Sequence, residues 1–112
     1  MTVIAFEDFA KVDLRVGRVL AVEEFPEARK PSFKIQVDFG SEIGTLWTSA
    51  QAASDYTPEE LKDRLVIGAV NLGSRRIAGF TSQFLLLGVK AEDGGLSLLE
   101  PGRGGAVGGN VY

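Results

Sequence analysis

The chain has no cysteine and no histidine in its 112 residues. Without cysteine there is no disulfide framework, no thiolate nucleophile and no thiolate metal ligand. Without histidine the usual general base is gone, and with it the Ser-His-Asp triad and the Cys-His dyad. The two absences together remove most zinc sites. Long apolar runs are lacking as well. None approaches the roughly 20 residues of a membrane-spanning helix, so no membrane insertion is expected. Met1 to Asp13 holds no basic stretch ahead of an apolar one. That is unlike a signal peptide, and a cytoplasmic location is expected. Positive charge is not in excess either. Against 12 basic side chains stand 15 acidic ones, a formal net charge of −3. Any polyanion would therefore have to be held by a local patch. The remaining carboxylates, lysines and serines fall in no recognisable catalytic spacing. The expectation is a non-enzyme with no cofactor and no bound metal.

What is present is ordinary for a folded chain: 45% apolar and 24% charged residues. The length predicts one domain over residues 1–112. Phe6 to Lys11 suits a short N-terminal helix, with Phe6, Phe9 and Ala10 sharing a face. Leu14 to Glu23 reads as a long first strand. Leu14 and Val16 lie in one phase and Val19 and Ala21 in the other, so a bulge or sharp bend is expected at Gly17. Arg15 and Arg18 would flank that bend, and Arg18 is expected to pair with a carboxylate. Phe33 to Phe39 alternates cleanly, with Phe33, Ile35, Val37 and Phe39 inward. After a turn at Gly40 and Ser41, a third strand is expected over Ile43 to Ser49. Thr57-Pro58-Glu59-Glu60 carries a capping box with proline at the first helical position, predicting a short helix that ends near Asp63. Two apolar strands follow, Leu65 to Val70 and Phe84 to Val89, around a loop that contains Arg75 and Arg76. Leu96 to Leu99 is a short apolar run. The Gly-rich tail lacks the Gly-Lys-Ser/Thr ending of a phosphate loop and reads as a turn and a terminal strand.

Three strands, a short helix and two more strands make the plan of an all-β OB-fold, a five-stranded Greek-key barrel. Such barrels bind ligands with the loops joining strands one to two and four to five. Here the first loop, Glu24 to Ser32, carries Arg29 and Lys30. The second, Gly73 to Thr81, carries Arg75 and Arg76. Guanidinium groups on these loops can hold phosphate, carboxylate or exposed backbone. The plain alternative is a set of solvated loops. Lys34 and Gln36 would project beside them from the second strand. Ser49 and Gln51 leave the third strand, where Gln51 could bond a peptide or a base edge or simply satisfy a turn. Trp47, the only tryptophan, is either core or groove edge. Phe80 is either a groove wall or a loop anchor. Ser82 closes the second loop.

The motifs DLRVGRV (Asp13 to Val19), VDFG (Val37 to Gly40), PEEL (Pro58 to Leu61) and NLGSRRIAGFTS (Asn71 to Ser82) resemble, in order, those of the tRNA-binding-domain OB-fold family. FPEARKPSFKI (Phe25 to Ile35), DFGSEIG (Asp38 to Gly44), TSAQ (Thr48 to Gln51) and RRIAGF (Arg75 to Phe80) are more similar to its CsaA group of export-related chaperones. Two departures stand out. The tRNA-binding branches tend to continue with Ser, any residue and Gly-Met, where this chain has Ser82-Gln83-Phe84-Leu85. CsaA proteins usually carry Glu after the Ser, where this chain has Gln83. The resemblance implies a homodimer, with residues 1–12 and the segment 88–112 packing across subunits. It also implies the partners: unfolded preproteins, with the secretion motor a further candidate, or else tRNA on the same basic face. The ligand contacts it would place are Arg29, Lys30, Lys34, Trp47, Ser49, Gln51, Arg75, Arg76, Phe80 and Ser82.

Overall fold

The computed structural model describes residues 1–112. Its first element is a five-residue helix, α1 (Phe6–Ala10). The Asp8 carboxylate accepts the Ala5 N–H at 3.2 Å and closes the first turn. Nothing in α1 is buried. A long strand, β1 (Leu14–Glu24), follows and pairs antiparallel with β2 (Phe33–Asp38). On β2 the alternation is as read from the sequence: Phe33, Ile35 and Val37 are buried while Lys34, Gln36 and Asp38 are half-buried.

The irregularity in β1 is not where the phase change suggested. Val19 pairs with Val37 and Ala21 with Gln36, so the extra residue is Leu20. Gly17 has another duty. A Cβ there would collide with Val37 and would lie 2.8 Å from the Phe39 ring. Glycine is required because the Phe39 ring occupies that space, not because the strand bends. The apparent phase change has a second cause. Val16 is buried on the outer side of β1, under the C-terminal segment, where Gly105 approaches it.

The third strand also starts later than expected. Gly40 and Gly44, with φ of 88° and 85°, bracket a single helical turn, α2 (Gly40–Ile43). These left-handed values are open to glycine and strained for other residues. Then β3 (Thr45–Ala50) pairs with β2. Helix α3 (Pro58–Leu61) has the capping box foreseen. The Thr57 N–H donates to Glu60 Oε1 at 2.9 Å and the Glu60 N–H to Thr57 Oγ1 at 3.2 Å. It ends at Leu61, which is fully buried under the barrel, and Asp63 turns the chain with φ 66°. Strand β4 (Leu65–Ala69) returns antiparallel to β1.

The arginine loop carries a hairpin of its own, β5 (Arg75–Ile77) and β6 (Phe80–Ser82). Ala78 and Gly79 form the turn with φ of 48° and 83°. Two successive positive φ values match the twist of a two-residue hairpin. The expected strand over Phe84 to Val89 is divided. β7 (Leu85–Leu86) pairs with β4, whereas β8 (Gly88–Lys90) pairs with β9 (Leu96–Leu98).

The main sheet has the order β3-β2-β1-β4-β7 and curls into a nearly closed antiparallel OB-fold barrel. Its closing seam is unusual in depending on side chains. The Gln83 N–H donates to Trp47 O at 2.7 Å, and the Trp47 N–H donates back to Gln83 Oε1 at 2.9 Å. Beside them Thr48 Oγ1 donates to Phe84 O at 2.8 Å and lies 3.0 Å from Ser82 Oγ. Inside the barrel Val19, Ile35, Val37, Phe39, Leu61 and Val66 are wholly or almost wholly buried. Phe84 packs edge-on to Phe39 with ring centroids 4.9 Å apart.

The tail runs beside the first half of β1, where β2 no longer reaches. The Val16 N–H donates to Gly109 O at 2.9 Å, and the Gly108 N–H to Val16 O at 2.8 Å. Arg15 fastens this region. Its guanidinium meets Asp13 at 2.6 Å, Glu42 at 2.6 Å and Gly108 O at 3.1 Å. The hydrogen bonds to Asp13 and Glu42 hold its pKa above the ordinary arginine value. Arg15, not Arg18, is therefore the carboxylate-paired arginine. Arg18 donates to the backbone carbonyl of Asp63 at 2.8 Å. Both stand on the N-terminal side of the bulge.

Candidate functional site

Two cavities open on the face that the β5–β6 hairpin borders. The larger is a groove of about 780 Å³. Arg29 and Lys30 reach it from the loop between β1 and β2, Ser49 from β3 and Gln51 from just beyond, and Arg75 from β5. Lys90 on β8 adds a fourth cation, and Asp55 is the one carboxylate in its lining. That carboxylate is engaged, accepting the Leu96 N–H at 3.0 Å. A net-negative chain thus carries a locally positive groove. The larger residues of its apolar lining include Ile77, Leu85, Leu86, Val89 and Leu96, of which Leu85 and Val89 are about half exposed.

The smaller cavity, about 330 Å³, is lined by Glu23, Lys34, Trp47, Phe80, Thr81 and Gln83. Aromatic packing shapes it. Phe80 stands edge-on to Phe25 at 5.5 Å and to Trp47 at 6.3 Å. The Lys34 ammonium lies 4.9 Å from the Phe25 centroid and 5.1 Å from that of Phe80. At those distances the ring quadrupoles attract the cation and hold it in place. Trp47 is half-buried and its ring is groove edge. Phe80 is both loop anchor and wall.

The adjacent arginines part company. On a strand, neighbours point to opposite faces. Arg75 and Ile77 line the large groove, while Arg76 lines neither cavity and donates at 2.7 Å to Oγ1 of Thr81, a wall residue of the small one. Ser82, expected among the contacts, is buried in the seam and lines neither cavity. Its hydroxyl serves Thr48 and the Ser49 N–H. The difference at Gln83 has a structural meaning too. Its side-chain oxygen accepts a backbone N–H, a task open to either Gln or Glu, but only Gln adds a free NH2 group at the cavity. Sequence reasoning missed Lys90, Glu23 and Thr81. Lys90 could be placed only by knowing that β8 folds back onto β9, which no local pattern announces. No group of three or more His, Cys, Asp or Glu side chains is placed to hold a metal ion, and no helix is long and apolar enough to cross a membrane.

Residues 14–110 match the family described as "Putative tRNA binding domain". The Methionine--tRNA ligase of Pyrococcus horikoshii is 40% identical over 112 residues. The match takes in 99% of this chain but only 15% of the length of that ligase, so the chain spans a small part of such relatives. Two solved structures match over their whole length. The CsaA chaperone protein of Picrophilus torridus superposes with a TM-score of 0.92 at 39% identity, covering 98% of this chain and 100% of that one. The chaperone CsaA of Bacillus anthracis gives 0.91 at 40% identity, covering 99% and 100%.

Proposed function

The chain belongs to the CsaA group of the tRNA-binding-domain family, and from that premise we propose that it is a non-catalytic, homodimeric chaperone. In this reading it acts in the cytoplasm as one domain, and its large groove holds unfolded preprotein before export, with the secretion motor as a downstream partner. The observation that carries the proposal is the mixed lining of that groove. Ile77, Leu85 and Val89 offer an apolar floor for side chains, while Arg29, Lys30 and Arg75 offer donors to backbone carbonyls and acidic groups. Ser49 and Gln51, which also line the groove, can bond an extended backbone. The dimer would cover α1. Ile4 and Phe6 are 64% and 74% exposed, and a cluster of this kind is a common subunit contact. Two grooves in one particle would then act by avidity.

The test is an aggregation assay with a chemically unfolded preprotein. Substoichiometric dimer should slow light scattering, and Leu85→Ser with Val89→Ser should abolish the effect while the fold persists. Scattering that is unchanged by the unmodified protein would end the chaperone reading. A second reading, tRNA binding on the same face, is favoured by one observation: four cations and a single, already bonded carboxylate line the groove. Its affinity should fall steeply with salt, by a log–log slope of about 0.7 to 0.9 for each phosphate contact.

A further inference from the structure

The small cavity is not needed to hold an extended chain, and its chemistry differs from that of the large groove. We propose that it is a pocket for one unpaired nucleobase of single-stranded RNA, with guanine preferred. This rests on the nucleic-acid reading and not on the polypeptide one.

Three observations point the same way. First, Trp47 and Phe80 present aromatic surface at the wall of a cavity that only six residues line. A base can stack on such a wall whatever its identity. Second, the Lys34 ammonium is held by two rings and forms no ion pair, so its charge remains available. It is suited to the phosphate of the nucleotide whose base is inserted. Third, the polar rim combines one acceptor with two kinds of donor. Glu23 is the only carboxylate in the lining, and it too is free of any ion pair. Gln83 uses its side-chain oxygen on the Trp47 N–H, which leaves its NH2 group to donate. Thr81 adds a hydroxyl whose oxygen accepts from Arg76, which leaves its hydrogen to donate.

That rim selects among bases. A carboxylate can accept two parallel hydrogen bonds only from adjacent donors, and guanine alone offers them, at N1 and the exocyclic N2. Its O6 then faces a donor such as the Gln83 amide. Adenine and cytosine set a ring-nitrogen acceptor against the carboxylate, and uracil sets carbonyl oxygens on both sides of its single N–H. The recognition is of the Watson–Crick edge, which only an unpaired base exposes.

The experiment uses the full chain and uridine octamers with a single central G, A, C or U, at low salt. Anisotropy of the end-labelled octamer reports binding. Emission of Trp47, the only tryptophan, reports occupancy of the cavity with unlabelled octamer. The expected result is quenching of Trp47 by the guanine octamer and an affinity for it at least about fivefold above that for uridine. Glu23→Gln should reduce that preference below about twofold and leave the quenching. Arg75→Ala should weaken all four octamers in the same proportion. Binding without a change in Trp47 emission, or with equal affinity for all four, overturns the pocket while the nucleic-acid reading stands. No anisotropy change at low salt overturns both. A Trp47 response to unfolded polypeptide alone assigns the cavity to polypeptide and overturns the inference.

Discussion

Around Phe39 and around Arg75 the same barrel tolerates very different changes. The Phe39 ring fills space that two strands leave by carrying glycine, Gly17 on β1 and Gly68 on β4. A Cβ at Gly68 would lie 2.7 Å from Phe39 and 2.9 Å from Phe84, both buried rings with nowhere to move. Arg75, on the separate β5–β6 hairpin, is exposed and forms no ion pair. The residues that decide whether this chain folds are thus a different set from those proposed to hold its ligand. Substitutions can address one set without the other.

The largest effect should come from the crowded side. Gly68→Val is expected to cost about 3 kcal/mol or more through overpacking, read as a large fall in the urea midpoint or as failure to fold. A stable, native-like Gly68→Val protein would show that the barrel interior yields, and the contrast would collapse. Next is Thr48→Val, which keeps shape but removes the bonds to Phe84 O and Ser82 Oγ. A loss of about 2 kcal/mol is expected in the same titration, because buried acceptors are left unpaired. Arg75→Ala works on the open side. It should weaken ligand binding about tenfold, equivalent to about 1.4 kcal/mol, with the urea midpoint unmoved; a shifted midpoint would mean that Arg75 also supports the fold. The smallest effect belongs to Arg76→Ala. Since Arg76 lines neither cavity, binding should change by less than about twofold, within the usual range for an exposed side chain. A loss matching that of Arg75→Ala would mean that Arg76 itself reaches the ligand.

The same contrast explains how far the sequence could be read. Alternation from Phe33 to Phe39, the capping box at Thr57 and Glu60, and the glycine-flanked arginine segment are local patterns, and they placed β2, α3 and the two loops that border the large groove. What escaped was set by partners distant in the chain. Gly17 looked like a bend because Phe39 and Val37, which require it, lie some twenty residues on. Ile43 has the residue type of a strand, yet two glycines with positive φ wind it into α2. The pair Arg75 and Arg76 reads as one charge patch until strand pairing sends the two side chains apart. Ser82 reads as a loop hydroxyl until the seam closes over it.

That seam has a consequence for how the molecule breathes. In the middle of β2, Ile35 and Val37 lie between two antiparallel partners, β1 on one side and β3 on the other. The amides of Trp47 and Ser49 are instead matched by the side chains of Gln83 and Ser82. A rotamer change at Gln83 or Ser82 can release those amides, whereas freeing Ile35 or Val37 demands the loss of a ladder. Deuterium should therefore enter Trp47 and Ser49 well before the middle of β2, by an opening local to this edge. The wall of the barrel that borders both cavities is then also its most readily unlatched one. A ligand bridging β3 and the hairpin would slow that exchange first, at a distance from the rigid strands that carry the fold.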